Sequence, residues 1–140
     1  MRLPTCAHGR SHKMYYFDHE KLDVYQAAIE LVVIIDIIVK QLPKGRAYLV
    51  DQLQRAGSSV PLNIAEGGGE FSPNEKIRFY RMARRSATEC AGILDICMRL
   101  NLIDETLNTK SRGLLLRIVS MLTKMARCSS VTQAGKQTLT

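Results

Sequence analysis

The sequence predicts an all-α fold, an antiparallel up-down-up-down four-helix bundle. Two observations favour it: apolar residues recur at helical spacing in four successive segments, and the connections between those segments are short. Hydrophobic residues make up 46% of the 140 residues, which is ordinary for a folded protein and too many for a disordered one. That length allows one domain with a modest core. Tryptophan is absent and aromatic residues are few, so the core is expected to consist of aliphatic and small side chains.

The first helix is expected to run from about Asp18 to Gln41. Its segment Leu31–Val39 reads LVVIIDIIV, which would also suit a buried strand, but its place in a longer pattern that includes Ala27 favours a helix. A helix that is apolar on every side must be covered on every side, and one bundle covers only part of it. We therefore expect a subunit interface of a homo-oligomer, with interface residues Leu31, Val33, Ile34, Ile35, Ile37 and Ile38.

The second helix is expected from about Arg46 to Glu66, with Pro61 in its interior. Proline has no N–H, and its ring displaces the carbonyl four residues earlier, so we expect a bend between Gly57 and Asn63. The polar side chains that can satisfy the freed backbone groups are Ser58, Ser59 and Asn63.

A glycine run and a capping pattern separate the second and third helices. Gly67–Gly69 follow Glu66, and glycine just past a helix predicts a left-handed C-terminal stop. Ser72 then precedes Pro73, and Glu75 stands three residues after the serine, which is the pattern of a capping box. The segment therefore predicts an antiparallel helical hairpin.

The third helix is expected from Pro73 to Leu100. The fourth is expected to begin between Asp104 and Ser111 and to end near Arg127. Small residues along the third helix permit close approach of a neighbouring helix.

The bundle is expected to occupy residues 18–128. Residues 1–13 contain no apolar run and no amphipathic period, so we expect residues 1–17 to be a disordered leader and Met14 to be the initiator. Residues 129–140 are polar and aperiodic, and we expect a disordered tail there.

Positive charge is the strongest functional signal. The formal net charge is +7, of which three cations lie in residues 1–13, so the remainder carries +4. Within residues 76–85 five cations occur without any acid, and three of them share one helix face, which predicts a basic ridge for nucleic-acid phosphates. The five residues are Lys76, Arg78, Arg81, Arg84 and Arg85, and the three on one face are Arg78, Arg81 and Arg85.

A solvated charged surface is the alternative interpretation of the same residues. Arg85 can pair with Glu89 one turn later, and a neighbouring segment can supply Glu66 or Glu70. Phe79 interleaves with the arginines, but its spacing suits the core better than base stacking.

No catalytic pattern is present. All three histidines lie in the first nineteen residues, and the glycine run lacks the lysine and spacing of a phosphate-binding loop. The acids Asp18, Glu20 and Asp23 around His19 suit the start of a helix better than an acid–base or metal cluster. We predict no enzyme and no cofactor.

The cysteines do not predict a disulfide or a metal site. Cys90 and Cys97 lie two turns apart on one helix face, and we expect both to be small buried hydrophobes in a reducing cytoplasm. Cys6, His8 and His12 form a nominal trio without a fourth ligand. Asp36 and the short length of the first helix exclude a membrane span.

Four segments resemble a known family: DHEKLDVYQAA (residues 18–28), LPKG (42–45), QLQRAGSSVPLNIAEGGGEFS (52–72) and FYRMARRSATECAGILD (79–95). The chain resembles the bacterial "four helix bundle protein" family, first described as proteins encoded by intervening sequences in large-subunit ribosomal RNA genes. Two positions depart from the family pattern: Tyr25 stands where tryptophan is common, and Arg85 where glycine is common. The residues that we expect to carry the structural motif are Arg55, Pro61, Asn63, Glu66, Gly67, Ser72 and Glu75.

The resemblance implies a ring-like homo-oligomer, a homopentameric barrel of bundles without known enzymatic activity. The apolar first helix agrees with such a ring. A similar protein, the accessory variability determinant of diversity-generating retroelements, is a basic pentamer that binds nucleic acid and a reverse transcriptase. Two hypotheses follow for this chain. It is an oligomeric adaptor that binds RNA or DNA through the third helix, or an oligomeric scaffold for a protein partner such as a reverse transcriptase, without direct nucleic-acid binding.

Overall fold

The structure, a computed structural model, describes residues 17–137, and the surroundings of side chains as far as residue 128. These residues form a short 3₁₀ turn and four α-helices, and they contain no strand. The turn spans Asp18–Lys21, and the helices are α1 (Asp23–Gln41), α2 (Ala47–Gly69), α3 (Pro73–Arg99) and α4 (Glu105–Gln137).

The helices form a four-helix bundle, as the sequence predicts. Each helix packs on its neighbour in the chain, and α1 packs on α4, which closes the square. α1 therefore lies diagonally across from α3, and α2 diagonally across from α4. The connections between consecutive helices are residues 42–46, 70–72 and 100–104, which is short enough to make neighbours antiparallel.

Three predicted helix bounds are wrong, and the third, the end of the second helix, lies in the glycine run described below. The first helix begins at Asp23 instead of Asp18, because Leu22 is extended (φ −80°, ψ 127°) and separates it from the 3₁₀ turn. The fourth helix continues past Arg127 to Gln137, so residues 129–137 of the expected disordered tail are helical. The expected leader, up to residue 16, lies outside the described residues.

The glycine run has a different role from the predicted one. α2 continues through Gly69 and ends at the extended Glu70, so the left-handed stop at Gly67 is wrong. A Cβ atom at Gly67 would lie 2.7 Å from Cε1 of Tyr80, and one at Gly68 would lie 2.8 Å from Cβ of His19. These glycines therefore allow α3 and the 3₁₀ turn to approach α2 closely.

Only one of the two hydrogen bonds of the predicted capping box forms at the start of α3. The Ser72 hydroxyl accepts a hydrogen bond from the Glu75 backbone N–H at 3.5 Å, and Pro73 is the first helical residue. The Glu75 carboxylate does not return to the Ser72 backbone and instead pairs with Arg78 at 3.1 Å. At the other end Asn101 has a left-handed backbone (φ 55°) that ends the helix.

α2 stays helical through Pro61. Asn63 Nδ2 donates to the Ser59 carbonyl at 2.8 Å, and the Ser58 hydroxyl donates to the Arg55 carbonyl at 3.2 Å. The bend between Gly57 and Asn63 stays a prediction.

The expected interface on α1 is wrong at four of its six residues. Leu31, Ile34, Ile35 and Ile38 lie in the core of their own bundle, because α2 and α4 cover that side of the helix. Only Val33 and Ile37 of the six face solvent. Cys90 and Cys97 are buried and free, as predicted.

Candidate nucleic-acid interface

The five predicted ridge residues do not share one environment. Lys76 is half-buried, and the four arginines of α3 are exposed. They divide into three groups: two residues engaged near the α2–α3 turn, two on the α4 side of the helix, and one in the groove between α2 and α3.

Lys76 and Arg78 have partners within the protein. Lys76 Nζ donates to the Gly67 carbonyl at 3.0 Å, and this carbonyl at the C-terminal end of α2 also accepts from the Glu70 backbone N–H at 3.3 Å. Arg78 pairs with Glu75 on its own helix and lies over the ring of Phe79, 5.7 Å from its centroid. The ion pair is exposed, so it contributes at most about 1 kcal/mol.

Arg81 and Arg84 lie beside α4. Together with Arg127 they line a small cavity of about 210 Å³ between the two helices. Arg84 Nη1 donates to the Thr123 hydroxyl at 3.3 Å, and that hydroxyl donates to the Val119 carbonyl at 2.8 Å. The structure therefore joins cations from two helices in one site.

Arg85 is one helical turn from Arg81 but borders the other groove of α3. It lines a polar groove against α2, where the Ser86 hydroxyl donates to the Ser59 hydroxyl at 2.9 Å. Glu89 lines the same groove, but it forms no ion pair with Arg85 in the described part of the chain. The pairing with Glu66 or Glu70 that the alternative interpretation expects is likewise absent within residues 17–128.

α1 presents an apolar stripe on the outside of the bundle. Ile29, Val33 and Ile37 recur at every fourth position, and they are 40%, 56% and 43% exposed. Asp36 and Lys40 form an ion pair at 2.7 Å on the same outer side. We call Ile29, Val33 and Ile37 the α1 stripe.

The family-motif residues serve mostly the local structure of α2. Arg55 pairs with Asp51 one turn earlier, and this contact lowers the pKa of the Asp51 carboxyl and raises that of the Arg55 guanidinium. Asn63 bonds to Ser59, as described above. Glu66 is exposed and does not reach a neighbouring helix with an ion pair among the described residues.

The buried titratable groups are kept neutral. Burial raises the pKa of the Cys90 thiol to about 12, and it also raises the pKa of Cys97 and of the Tyr80 phenol. A thiol of that kind is a poor nucleophile at neutral pH.

Within residues 17–128, no three histidine, cysteine, aspartate or glutamate side chains gather in a way that could hold a metal ion. None of the helices described combines the length and apolar character that crossing a bilayer requires. The trio Cys6, His8 and His12 falls outside this part of the chain.

Sequence reasoning missed the α4 half of the basic site. Arg127 lies at the predicted end of the fourth helix, and Thr123 carries no motif of its own. The available signal was the helical period of α4, since Thr123 and Arg127 are four residues apart and share a face. Only the packing of α4 against α3 shows that this face adjoins Arg81 and Arg84.

The fold and the site define an all-α antiparallel four-helix bundle with a basic surface on α3 and α4. The chain belongs to the 23S rRNA-intervening sequence protein family, whose profile matches residues 20–124. This confirms the family resemblance.

Comparison with solved structures gives the same fold. A crystal structure of a protein of unknown function from the S23 ribosomal protein family of Bacteroides thetaiotaomicron VPI-5482 is similar, with a TM-score of 0.69 and 22% identity. The similarity covers 74% of this chain and 95% of that one. No curated protein matches the sequence.

Proposed function

We propose that the protein is a non-enzymatic adaptor of the cytoplasm, a closed homo-oligomer that is most simply a pentamer, and that it binds RNA or DNA through basic residues of α3. One observation carries this proposal. The guanidinium groups of Arg81, Arg84 and Arg85 are exposed, and none of them pairs with a carboxylate within the described residues.

Unpaired arginines favour phosphate as the partner. A guanidinium donates two parallel hydrogen bonds to phosphate oxygens, and each phosphate neutralised releases counterions from the nucleic acid. Such binding is largely independent of sequence, because phosphates carry no base information.

The α1 stripe supports the oligomer. Three large apolar side chains in a row on one outer face form a contiguous patch, and such patches usually mark interfaces. A ring would repeat the basic site in every subunit, so weak contacts with one strand would add through multivalency. The resemblance to the family implies that this oligomer is a pentamer.

The test is fluorescence anisotropy of labelled single-stranded RNA and DNA, each in two unrelated sequences. The parent should bind all four strands with similar affinity. The affinity should fall at least about tenfold when Arg81, Arg84 and Arg85 become glutamine, because the loss of one hydrogen bond from a charged group already lowers affinity by a factor of about ten. The control changes Arg55, Lys110 and Arg112 to glutamine. These residues are exposed and lie on α2 and α4, so the control removes the same net charge away from the α1 stripe.

A second candidate is an oligomeric scaffold for a protein partner such as a reverse transcriptase. Exposed apolar side chains outside the α1 stripe favour it: Leu62 and Leu116 are each 64% exposed, and Phe71 is fully exposed. If the triple glutamine variant binds RNA and DNA as tightly as the parent, the arginines are surface charge and the scaffold takes the place of the adaptor.

A further inference from the structure

The cavity between α3 and α4 is a built site and not only a stretch of basic surface. Arg81 and Arg84 enter it from successive turns of α3, and Arg127 enters from α4. Thr123 stands opposite Arg84, and Arg127 follows Thr123 by one turn on the antiparallel helix, so the three guanidiniums surround one space.

A hydrogen-bond relay holds one of these arginines in place. The Thr123 hydroxyl donates its proton to the Val119 carbonyl, which leaves its lone pairs to accept from Arg84 Nη1. Thr123 is therefore a positioning residue for Arg84. Order before binding favours affinity, because less side-chain entropy is lost when the ligand arrives.

The floor of the cavity is apolar and neutral. Leu122 is 1% exposed and Tyr80 is 4% exposed, and both line the cavity. Burial raises the pKa of the Tyr80 phenol, so this side chain stays uncharged. No carboxylate belongs to the lining in the described part of the chain, so the charge there comes from the three arginines.

The volume limits what the cavity can take. Pockets that enclose a whole small molecule usually measure roughly 300–1,000 Å³. At about 210 Å³ this cavity suits a single phosphate group, with the rest of the ligand outside it.

We propose that this cavity binds the terminal phosphate of a nucleic-acid strand. A terminal phosphate monoester carries a charge of about −1.5 to −2 at neutral pH and three free oxygens, which matches three guanidiniums. An internal phosphodiester carries a single charge, and its chain continues on both sides, so it suits an open groove better than a small cavity. This inference rests on the proposed function. It assigns the terminal phosphate to the cavity, and it leaves the open groove at Arg85 for internal phosphates of the strand.

The experiment compares one single-stranded RNA in three forms: with a 5′-phosphate, with a 3′-phosphate and with hydroxyls at both ends. The parent should bind either the 5′-phosphate form or the 3′-phosphate form at least about tenfold more tightly than the form with hydroxyls at both ends. Arg84→Gln should abolish that preference. Thr123→Val should reduce it and Thr123→Ser should restore it, which a merely structural role of Thr123 would not produce.

Arg85→Gln is the matched control, since Arg85 lies in the other groove and its loss should leave the preference intact. Circular dichroism checks that each variant is folded. Equal affinity for all three RNA forms would overturn the inference and leave the proposed function standing, whereas absence of binding to every form would overturn both. Competition by adenosine monophosphate as effective as that of the phosphorylated strand would also overturn it, because the ligand would then be a free nucleotide.

Discussion

Gly67 packs directly against the ring of Tyr80. A Cβ atom at Gly67 would lie 2.7 Å from Cε1 and 2.9 Å from Cδ1 of that ring, and 3.2 Å from Cβ of Phe79. The last turn of α2 therefore touches α3 with no space for a side chain. Tyr80 is itself buried, so its ring has little freedom to move away.

Gly67→Ala should destabilise the protein. The added methyl group must displace a buried ring, and overpacking of this kind costs about 1–3 kcal/mol, which exceeds the gain in helix propensity of about 1 kcal/mol. Urea unfolding followed by circular dichroism measures the free energy of unfolding. Gly69→Ala is the matched control, because it lies in the same helix with no atom near the new methyl group, and it should be neutral or stabilising. Equal effects of the two variants would contradict the close packing of Gly67.

The sequence predicts the ends of a helix well where residues next to those ends determine them. Ser72 and Pro73 start α3, and Asn101 ends it, because capping depends on residues a few positions apart. The predicted role of the glycine run was wrong, because the sequence alone does not show which residues pack against a glycine. Glycine is selected either for a left-handed backbone or for close approach of a neighbour, and only the position of Tyr80 shows that the second applies.

Asn63 should contribute to stability through its side chain. Its amide donates both to the Ser59 carbonyl and to the Ser59 hydroxyl, at 2.8 and 2.9 Å, and Ser86 adds a bond to the same hydroxyl. Asn63→Ala should lower the free energy of unfolding by about 1–2 kcal/mol in urea titrations. Gln54→Ala, at an exposed position of the same helix, should change it little. A cost as small as that of the Gln54 variant would show that the contact is not stabilising.

Stability should fall at alkaline pH. The folded state keeps the Cys90 thiol protonated, with a pKa of about 12, whereas an unfolded cysteine has a pKa of about 8.5. The raised pKa stabilises the fold below the unfolded value, and this contribution is lost as pH rises from about 8.5 towards 12. Unfolding free energies measured over this range should decline, and the decline should be shallower in Cys90→Ala. If the unfolding free energy of the parent and of Cys90→Ala fell equally steeply with pH, the prediction for Cys90 would be contradicted.

The α1 stripe should control assembly. Val33→Glu combined with Ile37→Glu places two charges on its centre, and a desolvated charge is costly in an interface. Size-exclusion chromatography with light scattering should show an oligomer for the parent and a monomer for the variant. Leu116→Glu, on an exposed residue of α4, should leave the oligomer unchanged. A parent that is a stable monomer at micromolar concentration would contradict the proposal.

The sequence predicted the basic residues but not their grouping. A helical period places Arg81 and Arg85 on the outside of α3, yet it does not tell which neighbour lies on each side. Packing of α4 next to Arg84 brings in Thr123 and Arg127, which lie far along the chain. The same limit applies to α1, where the apolar run was evident but the choice between core and surface depended on α2 and α4.

The salt dependence of RNA binding tests the central claim most directly. The logarithm of the binding constant of the parent should fall linearly with the logarithm of salt concentration, because bound counterions are released. Changing Arg81, Arg84 and Arg85 to glutamine should make that slope shallower by roughly 1 to 2, at about 0.7 for each phosphate on a single strand, because Arg81 and Arg84 share one phosphate and Arg85 contacts another. A variant with the affinity and slope of the parent would contradict the account.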